Sequence, residues 1–365
     1  VRPGRAALAA GAAMVVVAAL AWATAPRVRH ALAGAGAGVA QRPLAGGTAG
    51  APAPRAARVR VVILDGLARA DADAWLPGLA AVPGARALTV DVGFPTKSLV
   101  VQHVLWTGLT AQQSGIAARN ERLDPPAAGT PSRVPGAIAV VESHRAIADS
   151  FGFAVVRPEP AADRVDPDAS AAQVAAWRDG GFEAALREAA ASDAPLVLIH
   201  VLRIDAAAHA SGRGAAYRAA IAWADRVLAP VIAGDRDGTW LILSDHGHVP
   251  SGGHGDAEDE VRRVRAWLRG PIAPGGEREP DIDTVVDAVI EARGAVDPEV
   301  HLVDLARWLA ETCGVDRDGR AVGRPLAVAI AHPDRDATLP APGAARWLVA
   351  AALVASALIA AGRVL

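Results

Sequence analysis

The feature that most constrains this chain is a series of short, β-branched, largely apolar runs that stop at acidic or imidazole side chains. Residues 59–64 read Val-Arg-Val-Val-Ile-Leu and end at Asp65-Gly66, as a strand stopping in a turn does. Similar runs recur at residues 87–92, 154–156, 195–202 and 240–243, and helical candidates lie between them at 98–107, 144–151, 171–191, 214–233 and 300–313. A strand with one wet face alternates polar and apolar residues. Strands without that alternation, interleaved with helices, predict a mostly parallel sheet covered on both faces. The expected fold is therefore α/β, a three-layer α/β/α sandwich with a mainly parallel central sheet and a terminal apolar helix at each end.

The ends differ from the middle. Residues 6–24 carry no charge and, at ~1.5 Å per residue, would span roughly 28 Å, close to a bilayer core. Arg2 and Arg5 precede this run, so residues 1–25 read as a membrane anchor or a signal segment. Residues 26–57 are rich in Ala, Gly and Pro without an acidic residue, a composition that reads as a linker. Residues 58–330 form the expected catalytic domain, 331–345 a second linker, and 346–365 a C-terminal transmembrane helix closed by Arg363. The net charge of −2 offers no basic face for nucleic acid, and the single Cys313 excludes a multi-cysteine zinc site.

Ligands of such sheets bind beyond the carboxyl ends of the strands. Asp65 follows the first run, Ser98 lies shortly after the second, Asp205 follows residues 195–202, and Asp245-His246 follows 240–243. Asp205 and His209 are four apart, on one side of a helical turn. Gly252-Gly253-His254-Gly255 leaves His254 on a loop where a structural histidine gains little from packing. Each group alone has an ordinary explanation: Asp65 as a turn residue, and Thr96 or Ser98 as a helix N-cap. Together they supply three Asp, three His and a hydroxyl, enough donors for two divalent ions. A hydroxyl at the start of residues 98–107 would sit at the positive end of a helix, where a metal could lower its pKa. His30, His103, His144, His200, His301 and His332 lack ligand spacing and read as structural or surface groups.

As a set, Leu64-Asp65-Gly66, Pro95-Thr96-Lys97-Ser98 with Thr107-Gly108-Leu109, Ser114-Gly115-Ile116, Asp205-x-x-x-His209, Ser244-Asp245-His246-Gly247 and Gly253-His254-Gly255 resemble the alkaline phosphatase superfamily. The branch they look most like is the type I phosphodiesterase/nucleotide pyrophosphatase group, with the related glycolipid-anchor ethanolamine phosphate transferases. The resemblance runs from about Arg58 to Leu326 and includes Trp267-Leu268-Arg269-Gly270-Pro271, Val303-Asp304-Leu305-Ala306 and Gly323-Arg324-Pro325-Leu326. It implies one ion on Asp65, Asp245, His246 and the nucleophile oxygen, and a second on Asp205, His209 and His254. It also implies a nucleophile ten positions before the glycine of Thr107-Gly108, which is Ser98 rather than Thr96. Asn120 resembles a substrate-oxygen donor, and His248 is expected beside the ligands rather than among them.

The resemblance implies a metal-dependent phosphodiesterase or phosphatase acting through a phospho-serine. The alternative is a membrane-anchored transferase of a phosphorylated headgroup, of phosphoethanolamine or phosphoglycerol type. A non-catalytic membrane-tethered relative is a weaker reading because the ligand set is complete. A sulfatase is disfavoured because residues 98–102, Ser-Leu-Val-Val-Gln, lack the required proline and arginine. Zinc suits the mixed His and Asp donors, with manganese the alternative. The expected partners are a phosphate ester, lipid- or glycan-linked, and a membrane, with the catalytic domain extracytoplasmic.

Overall fold

The computed structural model describes residues 53–116, 122–156, 176–255, 258–270, 282–293, 297–316 and 319–332. The two terminal apolar runs, both linkers for most of their length, and Asn120 lie outside these residues. Among the described residues no helix is long and apolar enough to cross a membrane.

One sheet of eight strands organises the chain: β1 (Val59–Leu64), β2 (Arg86–Asp91), β3 (Ile138–Val141), β4 (Ala154–Val155), β5 (Leu196–Val201), β6 (Thr239–Leu243), β7 (Arg263–Arg269) and β8 (Glu299–His301), in the order β4-β3-β5-β1-β6-β7-β2-β8. β7 runs antiparallel to both of its neighbours, β6 and β2, and the other paired strands are parallel. The mixed, mainly parallel sheet expected from the runs is therefore present. β3, β7 and β8 are additions to the expected strands. β7 carries three arginines in seven residues, Arg263, Arg265 and Arg269, which hid it from a search for apolar runs. β8 overlaps the start of the stretch read as one helix from residue 300; His301 caps the true helix, its side chain accepting from Val303 N.

Period-two alternation divides the core. Val59, Val61 and Ile63 of β1 face one apolar layer with helices α1 (Ser98–Thr107) and α5 (Leu302–Thr312). Val62 and Leu64 face the other, with α2 (Phe182–Ala191), α3 (Arg203–Ser211) and α4 (Ala215–Gly234). Arg60 on this second face is fully buried, and its guanidinium donates to Ala190 O at 3.0 Å and Ala194 O at 2.8 Å, at the carbonyl-rich end of α2.

The register sets the depth of the site. Ile63 stands between His200 of β5 and Leu243 of β6, so all three strands stop at one level. Asp65, Asp205 and Asp245 leave the sheet just above that level. The start of α3, which carries Asp205 and His209, is held by Glu142 at the end of β3. Glu142 Oε2 accepts from Leu202 N and Arg203 N, both at 2.9 Å, and Oε1 accepts from Arg203 Nε at 2.6 Å. The Arg203 guanidinium also lies 3.4 Å over the Trp223 ring. Glu142 is buried, so Glu142→Ala would strand two helix amides and a guanidinium. We expect a loss of about 3 kcal/mol in urea unfolding of the metal-free protein.

Candidate metal centre

Three strand ends and two loops converge above β1. The turn after β1 is fixed by Tyr217, whose hydroxyl donates to Gly66 O and accepts from Ala68 N, both at 2.9 Å. Gly66 has φ +74°, and a Cβ there would stand 2.8 Å from His248 Nε2 and 2.9 Å from Asp205 Cα. Glycine at this position is what lets the β1 and β5 ends approach each other. The turn after β6 is pinned by Ser244 Oγ, which accepts from Leu67 N at 2.9 Å and donates to His246 O at 2.6 Å.

Asp65, Asp245 and His246 form one buried group around Ser98. His246 Nε2 lies 3.3 Å from Asp65 Oδ1, 3.1 Å from Ser98 Oγ and 3.8 Å from Asp245 Oδ1, and Ser98 Oγ donates to Asp65 Oδ1 at 3.4 Å. Asp205, His209 and His254 form the second group. His209 Nε2 is 3.3 Å from Asp205 Oδ1 and 3.1 Å from His254 Nε2, and His254 Nε2 is 3.7 Å from Asp205 Oδ1. The His246 and His254 rings stack at 3.8 Å, so the two groups share a wall. The seven residues singled out in the sequence are thus brought together.

These spacings can be tested against a metal. Donors about 2.0–2.1 Å from a tetrahedral ion stand about 3.3 Å apart along the edges of the tetrahedron. Most of the separations within both groups are close to that value. The ring orientation agrees as well. His246 Nδ1 faces Gly247 O at 3.2 Å and His254 Nδ1 faces Thr96 O at 2.8 Å. A carbonyl can only accept, so both Nδ1 atoms carry hydrogen and Nε2 is the atom presented to the site. The donor set therefore fits divalent ions.

Outer contacts include residues that sequence reasoning did not weigh. His248 Nδ1 accepts from Gly253 N at 2.8 Å, which puts the hydrogen on Nε2, 2.8 Å from Asp205 Oδ1. His248 thus orients Asp205, as its position beside the ligands suggested, although it also lies in a compact group with Asp205, His246 and His254. Gln102, one turn beyond Ser98 on α1, donates to Asp245 Oδ2 at 3.4 Å. His200, read from the sequence as structural or surface, is fully buried with Nε2 3.0 Å from Asp65 Oδ2, the N–H directed off the axis of a hydrogen bond. The cause is the parallel register of β5 against β1, which puts His200 beside Ile63 on the face from which Asp65 emerges; spacing along the chain carries no trace of it. Thr96 is fully buried and its Oγ1 accepts from Gly255 N, which leaves Ser98 as the hydroxyl facing the donors.

No protein-family model matches the chain, and no curated protein matches it. Solved structures do match. Murine ectonucleotide pyrophosphatase/phosphodiesterase 5, an inactive variant in complex with AMP, is similar at 14% identity over 74% of this chain and 98% of that one, with a TM-score of 0.51. The likeness is one of fold, which this chain shares with that phosphodiesterase. More distant matches are the C-terminal periplasmic domain of EptC from Escherichia coli in complex with Zn, 14% identical over 78% and 90% with a TM-score of 0.46, and the lipoteichoic acid synthase LtaP from Listeria monocytogenes, 12% identical over 81% of each chain with a TM-score of 0.43.

Charge decides how these side chains behave without ions. Burial, then the neighbouring Asp65 charge, pushes Asp245 up to about 6. Burial would raise Asp65 too, but contact with His200 and His246 outweighs it and holds that carboxyl well below the usual range. Burial works against a charged His246, yet Asp245 and Asp65 raise it to about 9, while burial and the His246 charge lower His254 to about 4. An ion bound through His246 Nε2 must displace a proton at any pH below about 9. We expect the affinity of the Asp65 group for zinc to fall about tenfold per pH unit from pH 9 downward, and more steeply below about 6 as Asp245 takes up a proton. Chelator-competition titrations across this range measure the slope.

Proposed function

We propose that this protein is a metal-dependent phosphoric-ester hydrolase of phosphodiesterase or phosphatase type, with Ser98 as its nucleophile. The observation that carries this reading is the position of Ser98: its Oγ faces Asp65 Oδ1 at 3.4 Å and His246 Nε2 at 3.1 Å, at the first residue of a ten-residue helix. Asp65, Asp245 and His246 would hold one ion beside that hydroxyl, and Asp205, His209 and His254 a second, zinc or manganese by donor type. Such ions supply positive charge to the oxygens on phosphorus and lower the pKa of the serine hydroxyl. Ser98 Oγ attacks phosphorus, forming an Oγ–P bond as the bond to the leaving oxygen breaks. Water then attacks the same phosphorus and releases Ser98. The first amides of α1 lie beside Ser98 and favour the negative charge that gathers on the transferred group.

The AMP complex of the murine phosphodiesterase 5 variant supports a phosphate ester as the substrate class. Asn120 is proposed as a further donor to a substrate oxygen. A second reading, transfer of a phosphorylated headgroup to a lipid or glycan acceptor, is favoured by the apolar runs at residues 6–24 and 347–361, which would anchor an extracytoplasmic catalytic domain to a membrane. In that case the acceptor hydroxyl replaces water in the second step.

The test is turnover of aryl phosphate mono- and diesters by the full chain with zinc or manganese, beside Ser98→Ala. We expect a loss on the order of 10³-fold or more in kcat and, on acid quenching, a phosphorylated Ser98 peptide by mass spectrometry. Full metal-dependent turnover by Ser98→Ala would remove Ser98 from the mechanism. Product carried on an added lipid or glycan acceptor would select transfer over hydrolysis.

A further inference from the structure

Among the expected donors, His254 is the one carried in a glycine-rich loop. It stands in Gly252-Gly253-His254-Gly255, whose glycines have φ of +84°, +136° and +110°, a backbone that residues with side chains rarely adopt. On the N-terminal side the loop is tied back at Gly253, whose amide donates to His248 Nδ1 at 2.8 Å and whose carbonyl accepts from Val249 N at 3.1 Å. On the far side the tie comes from the strap that carries the nucleophile. Thr96 O accepts from His254 Nδ1 at 2.8 Å, and Thr96 Oγ1 accepts from Gly255 N at 2.9 Å. One buried residue thus grips His254 through its ring and the next residue through its backbone.

We infer that Thr96 is a positioning residue, a latch that joins the Ser98 strap to the His254 loop and aims His254 Nε2 at the second ion. The inference rests on the metal reading above and adds to it a division of labour within Pro95-Thr96-Lys97-Ser98: Ser98 faces the phosphorus, while Thr96, two residues earlier, holds the opposite wall. The Thr96 carbonyl fixes which ring nitrogen of His254 is presented. The Thr96 hydroxyl holds the glycine loop at the distance where that hydrogen bond can form. Outer partners of this kind set ligand orientation, and their loss costs roughly 10–100-fold in metal affinity.

The test uses the full chain and its zinc affinities, measured by chelator competition. Thr96→Val keeps the shape and removes the acceptor for Gly255 N; Thr96→Ser keeps the acceptor. The expected result is a tenfold or greater loss of affinity for one ion in Thr96→Val, and a change of less than about threefold in Thr96→Ser. The ion weakened should be the one that Asp205→Asn also loses, so that Thr96→Val has no further effect on the ion remaining in Asp205→Asn. Two wild-type affinities in Thr96→Val, or weakening of the other ion, would overturn the inference while leaving the metal reading intact. If the unaltered chain takes up no zinc or manganese, the metal reading fails and the latch with it. Amide exchange of the unaltered metal-free protein is a second measurement that needs no variant: Gly255 N–H should be protected, and free exchange there would also overturn the latch.

Discussion

Two carboxylates, Asp65 and Asp245, sit side by side at the carboxyl ends of two central strands with essentially no exposure to water, and the architecture around them follows from that. Burying one unpaired carboxylate is costly, and burying two together adds their repulsion. The protein alone offsets this with imidazole: His246 lies against both, and His200 against Asp65. The compensation is uneven: the imidazoles hold Asp65 low, whereas burial and the Asp65 charge still leave Asp245 raised, and a proton is held on His246. A divalent ion at the same place would neutralise both carboxylates and release that proton. A hydroxyl beside such an ion would be activated, as an isolated serine at neutral pH is not.

The rest of the site keeps those charges in register. Parallel pairing of β5 and β6 on either side of β1 brings three strand ends to one level, and each departing segment is then tied by a different side chain. Tyr217 holds the turn after β1, Ser244 the turn after β6, and Glu142 the start of the helix that carries Asp205. These ties connect neighbouring elements, so the positions of the donors depend on the sheet as a whole. Asp304 plays a comparable part farther away, accepting from Arg324 N at 2.7 Å to fasten the Gly323-Arg324-Pro325 segment onto α5.

Much of this was legible in the sequence because buried parallel strands and metal ligands both leave local marks. Residues 59–64 and 98–107 coincide with β1 and α1, and Asp65, Asp205 and Asp245 each follow a recognisable run. What was not legible depends on contacts across the chain. His200 looked unremarkable because its meaning lies in its pairing with β1. β7 was hidden by arginines that are paired in the fold, such as Arg265 with Asp73 and Asp297. Spacing to Gly108 already favours Ser98 over Thr96 as the reacting hydroxyl, but the part Thr96 plays shows only in the fold, where its hydroxyl turns to Gly255 N while that of Ser98 faces Asp65 and His246.

The central claim is that these side chains organise two cations beyond the carboxyl ends of the central strands. Anomalous diffraction at the zinc edge, from crystals of the full chain grown with zinc, tests it most directly. Two peaks about 4 Å apart are expected, one among Asp65, Ser98, Asp245 and His246 and the other among Asp205, His209 and His254. Absence of both peaks, or zinc bound only elsewhere on the surface, would contradict it.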